Sequence, residues 1–165
     1  MAPPEGRKMS LRAQARSAMR RAADQGHRVE YLAFSLAGES YAVRIANVAE
    51  ILKPLPITEV PRAPRNVIGV MSVRGKLVTV IDLRRRLRLP EAPMDRKARI
   101  LLTDAGDDEQ LGLLVDEVMQ VYRLADSEIE PANVLGGEQP AHIAGIGRPA
   151  GALLILLDLR PILQV

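Results

Sequence analysis

The side chains that most often carry catalysis or bind metals are few in this sequence, and their spacing matches no familiar site. His27 and His142 lie far apart in the chain and neither belongs to an HExxH pair, so we expect neither a zinc site nor a histidine base. The absence of cysteine excludes disulfides, thiolate nucleophiles and cysteine-containing zinc sites. We therefore predict a protein that is not an enzyme and that holds no cofactor or metal ion.

Two further segments contain residue types that could do chemistry. The segment 104–109 contains four acidic residues that could attract a cation, namely Asp104, Asp107, Asp108 and Glu109. They lack the ordered ligand spacing of a calcium loop, so an exposed hairpin tip is the favoured interpretation. The glycines between Gly145 and Gly151 precede a predicted strand rather than a helix, which indicates a turn and not a dinucleotide-binding loop.

Charge is strongly segregated along the chain. Residues 1–28 carry seven basic and two acidic residues, residues 29–99 carry thirteen and seven, and residues 100–165 carry three and eleven. The densest basic cluster comprises Arg84, Arg85, Arg86 and Arg88. A basic nucleic-acid-binding module is therefore the alternative function, although one Phe, three Tyr and no Trp leave few rings on which bases could stack.

The sequence contains an internal duplication. The segments Ile68–Leu87 and Ala144–Leu163 align at a constant offset of 76, with seven identical residues in twenty positions. Unrelated segments of this composition would share about one or two. The identical pairs are Gly69/Gly145, Gly75/Gly151, Leu77/Leu153, Asp82/Asp158, Leu83/Leu159, Arg84/Arg160 and Leu87/Leu163. The chain is therefore predicted to contain two copies of one small fold.

Short β-branched runs separated by turn signals predict five strands in each copy, and so an all-β fold of two small barrels. The predicted strands of the first copy are Val29–Leu36, Ser40–Ile45, Val48–Lys53, Val67–Val73 and Lys76–Asp82, with a proline-rich loop at 54–66. The predicted organisation is a basic arm at 1–28 with a helix at 10–25, a first barrel at 29–89, a linker at 89–97 and a second barrel at 98–165. No signal peptide or membrane span is expected.

Two of the predicted strands are apolar at almost every position, namely 77–81 and 153–157. A strand with one face in water would alternate apolar and polar residues. Both faces of these strands are therefore expected to be covered, one by their own barrel and the other by the second copy or the N-terminal segment. The two copies are expected to pack together.

The duplication also separates two kinds of residue. Those kept in both copies are expected to serve the fold, and Asp82 and Asp158 are predicted to cap short helical turns. Those that differ are candidates for recognition, because a partner contact is seldom needed twice. Arg74 stands opposite Ala150, and Glu50 stands opposite Gln120.

Four ordered motifs resemble the CheW family of chemotaxis coupling proteins. They are Val48-Ala49-Glu50-Ile51, Ile68-Gly69-Val70, Ser72-Val73-Arg74-Gly75 and Val80-Ile81-Asp82-Leu83-Arg84. The resemblance covers the chain from about Val29 to Leu163. It implies two SH3-like five-stranded barrels, packed together and without enzymatic activity. Ser72 stands where the family usually has Asn, and Thr79 where it often has Pro, which favours a divergent chemosensory system.

The resemblance also implies partners. Such proteins couple the cytoplasmic tips of methyl-accepting chemoreceptors to the regulatory domain of a CheA-type histidine kinase, and other CheW-like domains could join them in rings. Arg74 and Glu50 match motif positions associated with partner binding, and Val48 and Gly69 flank the same surface. Arg84 and Arg85 are expected to add charge to a head-to-tail contact with an acidic barrel. The expected location is the cytoplasm, at receptor arrays, without nucleic acid and with only indirect membrane contact.

Overall fold

The structure, a computed structural model, describes residues 10–132 and 140–164. It contains three helices, α1 (Leu11–Gly26), α2 (Leu83–Arg86) and α3 (Leu159–Ile162). Its strands are β1 (Arg28–Leu36), β2 (Glu39–Arg44), β3 (Val48–Leu52), β4 (Val67–Val73), β5 (Lys76–Asp82), β6 (Arg99–Gly106), β7 (Glu109–Val115), β8 (Glu117–Ala125), β9 (Ile129–Glu130), β10 (Ile143–Gly147) and β11 (Leu154–Leu157). The all-β prediction is confirmed.

The strands form two sheets, which we call the six-stranded and the five-stranded barrel. The six-stranded barrel has the order β8-β1-β2-β11-β10-β9, and the five-stranded barrel has the order β3-β6-β7-β5-β4. Most neighbours are antiparallel, but β11 runs parallel to β2 and β5 runs parallel to β7. The two parallel pairs occupy equivalent places in the two barrels, as the sequence duplication requires.

Each barrel takes strands from both halves of the sequence. The hairpin β1–β2 pairs with β8 and β11, whereas the hairpin β6–β7 pairs with β3 and β5. The spans 29–89 and 98–165 therefore remain a prediction of where each sequence repeat begins and ends. Neither barrel is formed by one of these spans alone. Each copy donates its first hairpin to the barrel that contains the last strands of the other copy.

The predicted capping roles of the two aspartates are confirmed. The Asp82 side chain accepts a hydrogen bond from the Arg84 N–H at 3.0 Å, and Asp158 accepts one from the Arg160 N–H at 3.0 Å. Each bond satisfies one of the free amide groups in the first turn of a short helix. The residues kept in both copies therefore build the same strand-to-helix corner twice.

One hydrophobic core joins the two copies, as predicted. Its buried members come from both halves of the sequence and include Leu36, Ile81, Leu101, Leu113 and Ile162. Each barrel also has its own smaller cluster, one around Leu124 and Leu156 and the other around Val80 and Ile100. Because the shared cluster is the largest of the three, the two copies bury a substantial part of their apolar surface together.

The prediction that both faces of strands 77–81 and 153–157 are covered was wrong at the first residue of each. The Leu77 side chain is 76% exposed and Leu153 is 54% exposed, whereas Val78 and Leu154 are buried. Each leucine is the second residue after the Arg74–Gly75 or Ala150–Gly151 turn, and neither belongs to the shared core. An identity between the copies therefore marks an exposed position as well as buried ones.

The N-terminal helix predicted at 10–25 is confirmed as α1. The Ala13 N–H donates to the Ser10 hydroxyl oxygen at 3.2 Å, so Ser10 is the N-cap of α1. The Leu11 and Met19 side chains of this helix are 84% and 74% exposed. Residues 1–9 of the predicted arm lie outside the described residues.

Candidate functional site

Arg74 lies at the tip of the hairpin formed by β4 and β5. Val73 pairs with Lys76, so Arg74 and Gly75 are the two central residues of a tight turn. Their φ angles are 49° and 82°, as a type I′ turn requires. Glycine, Asn and Asp adopt this conformation most easily, so a β-carbon at the first position strains the backbone. The same turn in the other copy uses Ala150 with φ 47°, so its geometry does not depend on the arginine side chain.

Arg74 and Glu50, which the duplication singled out, contact each other in the structure. The Arg74 Nη1 donates to the Glu50 Oε1 at 3.1 Å, and Nη2 donates to Oε2. This fork lowers the pKa of Glu50, chiefly through the hydrogen bond from Arg74, and raises the pKa of Arg74. Both groups are therefore charged over the physiological pH range.

The Arg74–Glu50 pair connects the two edges of the five-stranded barrel, since β3 and β4 are its first and last strands. The Arg74 side chain is 70% exposed and that of Glu50 is 35% exposed. Exposed ion pairs are screened by water and contribute little to folding. The pair is better placed to meet another molecule than to hold the barrel closed.

Two exposed residues of the same hairpin extend this surface. Ser72 and Leu77 are paired in register one step from the turn, and both are exposed. We call the four residues Glu50, Ser72, Arg74 and Leu77 the hairpin surface. It combines a bidentate charged group with an apolar side chain, which is the composition of a protein contact rather than of a catalytic centre.

Sequence reasoning missed Leu77, although a signal was present. In β5 the polar residue Thr79 alternates with Val78 and Val80, which are buried. Residues two apart share one face of a strand, so Leu77 belongs to the outer face with Thr79. The apolar run concealed this alternation.

Val48 and Gly69 have roles in packing. Val48 begins β3, pairs with Thr103 and packs on the shared core. Gly69 lies under the loop 54–66, and a β-carbon there would be 2.2 Å from the Thr58 carbonyl oxygen. The close approach lets Thr58 and Val70 exchange backbone hydrogen bonds of 2.8 and 2.9 Å, which hold this loop on β4.

Arg84 does not lie at the hairpin surface. Its Nε donates to the Asp116 Oδ1 at 2.8 Å, Nη2 donates to Oδ2, and Nη1 donates to the Pro90 carbonyl at 2.8 Å. With only 17% of its side chain exposed, Arg84 links the α2 corner to the start of β8. Arg85 contacts Glu91 at 3.1 Å and the Arg65 carbonyl at 3.2 Å. Both arginines lie beyond the end of β5, whereas Arg74 lies before its start.

The residues that could have suggested an enzyme do not assemble into a site. Asp107 and Asp108 form the exposed turn between β6 and β7, as predicted. Burial, and to a lesser extent the charge of Arg86, lower the pKa of His142. Among the described residues, no three His, Cys, Asp or Glu side chains are grouped so that they could hold a metal ion. Within the same residues, no helix is long and apolar enough to cross a membrane.

Comparison with known proteins identifies similar chains. The family model described as "CheW-like domain" matches residues 30–165. The chemotaxis protein CheW of Bacillus subtilis is 33% identical over 134 residues, which are 81% of this chain and 85% of that protein. The protein FrzA of Myxococcus xanthus is 28% identical over 82% of this chain and 85% of its own length.

The fold is also similar to a solved structure. The scaffolding protein TtCheW from Thermoanaerobacter tengcongensis superposes with a TM-score of 0.76 at 29% sequence identity. The match covers 84% of this chain and 94% of that chain. The similarity therefore includes both barrels and not only one of them.

Proposed function

The chain belongs to the CheW-like family, and from this membership we propose that it is a non-enzymatic adaptor that couples chemoreceptors to a CheA-type histidine kinase. Its proposed partners are the cytoplasmic tip of a methyl-accepting receptor and the regulatory domain of the kinase. It would act in the cytoplasm, at membrane-bound receptor arrays. The family match gives no support to the nucleic-acid alternative.

The observation that carries this proposal is the hairpin surface. Its Arg74–Glu50 fork stands on a strained turn that the other copy builds with Ala150, so the arginine is not needed for the fold. An exposed charged side chain that the fold does not require is a candidate for partner recognition. We propose that Arg74, Glu50 and Leu77 contact a partner, and that Val48 and Gly69 support them from β3 and β4.

The exposed leucines support a two-ended adaptor. Leu77 lies on the five-stranded barrel and its equivalent Leu153 on the six-stranded barrel, so each barrel has an apolar residue beside the turn that opens its last strand. An adaptor with two such ends can contact one CheW-like or kinase domain at each, and repeated head-to-tail contacts of this kind close into rings. The ring arrangement is part of the proposal.

The proposal is tested by reversing one charge of the fork. Full-length Arg74→Glu is expected to bind the kinase regulatory domain and the receptor tip at least about tenfold more weakly, because it opposes Glu50 and removes the guanidinium. The measurements are calorimetric titration with the kinase domain and co-sedimentation with receptor-containing membranes.

Arg160→Glu is the matched control, since it reverses the same charge and Arg160 is also exposed and also forks onto a carboxylate, that of Asp158. Thermal unfolding should be the same in wild type and both variants. The double variant Arg74→Glu/Glu50→Arg restores the ion pair with its ends exchanged. Wild-type binding of both partners by Arg74→Glu would remove the hairpin surface from the proposed site.

A further inference from the structure

A second feature, at the opposite end of the β4–β5 hairpin, is not explained by the proposed function. A groove of about 500 Å³ lies where the chain enters β4 and leaves β5 through α2. Its lining includes four arginines, namely Arg65, Arg85, Arg86 and Arg88. We call it the arginine groove. A seven-residue strand spans about 20 Å, so the groove is well separated from Arg74.

The other copy shows that the fold does not need these arginines. At the offset of 76 their equivalents are Ala141, Pro161, Ile162 and Gln164, none of which is charged. The backbone of the corner is nevertheless the same in both copies. Asp82 N–H donates to the Asn66 carbonyl at 2.9 Å, and Asp158 N–H donates to the His142 carbonyl at 2.8 Å.

Two of the four arginines in the groove already contact groups of the protein. Arg85 contacts Glu91 at 3.1 Å and Asp82 at 3.6 Å, and the Arg86 Nη2 donates to the Pro161 carbonyl at 2.7 Å. Arg65 and Arg88 make no side-chain hydrogen bond or ion pair with any residue that the structure describes. The groove is lined by four guanidinium groups and one carboxylate, that of Glu91. Even with Asp82 counted beside Arg85, an excess of two positive charges is left.

We propose that the arginine groove binds a small molecule that carries a phosphoryl group, with Arg65 and Arg88 as its principal ligands. A phosphate monoester carries close to two negative charges at neutral pH and accepts paired N–H donors from a guanidinium fork. The groove has the volume of ordinary small-molecule sites. Its one apolar side chain, Leu89, offers little to an apolar peptide.

The experiment uses the full-length protein and two probes, inorganic pyrophosphate and ATP, at constant ionic strength. Amide chemical shifts of Asn66 and of residues 85–89 are expected to change and to saturate, with a Kd of about 1 mM or tighter. Arg65→Ala/Arg88→Ala is expected to weaken binding at least about tenfold, since it removes both uncommitted guanidiniums.

The matched control is Arg123→Ala/Arg160→Ala, which removes the same charge from exposed positions elsewhere and should bind like the wild type. Equal binding by the two double variants would overturn the proposal, as would the absence of saturable shifts for both probes. A single-stranded oligonucleotide serves as a third arm. If it bound through Arg65 and Arg88 while pyrophosphate and ATP did not, the site would be a nucleic-acid contact and the proposal would fail. Partner binding in the Arg74→Glu test is measured without these probes, so the two proposals can fail separately.

Discussion

Arg84 and Arg160 occupy equivalent positions in the two copies, but their surroundings differ. Each follows a capping aspartate, but Arg84 forks onto Asp116 with 17% of its side chain exposed, whereas Arg160 forks onto the neighbouring Asp158 with 89% exposed. Asp116 also accepts a hydrogen bond from the Ala37 N–H at 2.9 Å, so it connects α2 with the β1–β2 turn. Only Arg84 therefore links separate parts of the fold.

This difference predicts unequal effects of the same substitution on stability. Arg84→Ala is expected to lower the free energy of unfolding by about 2 kcal/mol, because Asp116 is left partly buried without its charged donor. Arg160→Ala should change it little, since the Arg160 side chain is 89% exposed and, among the described residues, pairs only with its neighbour Asp158. Urea unfolding followed by circular dichroism measures both, and equal effects would show that Arg84 has no linking role.

Acidic pH should remove the contribution of the Arg84–Asp116 pair to the free energy of unfolding. Burial raises the pKa of Asp116, but the hydrogen bonds from Arg84 and Ala37 and the charge of Arg84 outweigh it, so the folded pKa is lower than that of the unfolded chain. The unfolded state therefore binds the proton first. The stabilisation is complete above the pKa of Asp116 in the unfolded chain, about 4, and is lost as pH falls through its lower pKa in the folded protein. The stability difference between wild type and Asp116→Asn should shrink below about pH 4, and a constant difference would contradict this.

At the scale of single elements, β4 and β10 each depend on a glycine beneath a crossing segment. A β-carbon on Gly69 would lie 2.2 Å from the Thr58 carbonyl oxygen, and one on Gly145 would lie 3.0 Å from the Glu130 carbonyl oxygen. The two glycines occupy equivalent positions, which explains why both copies keep them. The approach at Gly69 is the closer one.

Gly69→Ala is expected to destabilise the protein by about 2 kcal/mol, because the backbone of Thr58 must move away from β4. Gly145→Ala should cost about 1 kcal/mol, since smaller displacements relieve its contacts. Thermal unfolding compares the two, and hydrogen exchange at Thr58 and Val70 shows whether the loop has detached. An undisturbed loop in Gly69→Ala would contradict the packing role.

At the scale of the whole molecule, the exchange of hairpins makes the two halves of the sequence interdependent. β1 pairs with β8 and β2 with β11 in one barrel, while β6 pairs with β3 and β7 with β5 in the other. Separate fragments 1–97 and 98–165 would each lack a hairpin of their barrel and half of the buried residues of the shared core. We therefore predict that neither fragment folds alone and that an equimolar mixture assembles.

Amide dispersion in NMR spectra and cooperative urea unfolding distinguish these states. Each fragment alone should show narrow dispersion, and mixing should restore the spectrum of the intact chain. A fragment that unfolded cooperatively by itself would show that one copy suffices for a barrel.

The exchange also redistributes charge. The sequence halves 29–99 and 100–165 carry +6 and −8, but the acidic β6–β7 hairpin belongs to the barrel that also contains the arginine cluster. Residues 45–115, which supply the five-stranded barrel, contain twelve basic and nine acidic residues, or +3. Residues 28–44 and 116–165, which supply the six-stranded barrel, contain five and nine, or −4. The net charges of the two barrels still have opposite signs, but the difference between them is about half of the difference between the two sequence halves.

Local patterns in the sequence were sufficient to predict most of the strands and the residues that cap the short helices. β4 and β5 have the predicted bounds, and Asp82 and Asp158 have the predicted hydrogen bonds, because strand alternation, turn chemistry and capping depend on neighbours in the chain. Comparing the copies also selected Arg74 and Glu50, which the structure brings together.

Three features could be read only from the three-dimensional structure, namely which strands share a barrel, which arginine is internal and which leucines are exposed. These depend on contacts between residues far apart in the chain, such as Arg84 with Asp116 and β5 with β7. Comparing the two copies did not reveal these differences. Leu77 is identical to Leu153, as expected of core residues, although both are exposed, and Arg84 is identical to Arg160 although only Arg84 is internal. A local pattern specifies the face and bounds of a strand, whereas the neighbour that covers that face is set by the packing of the whole chain.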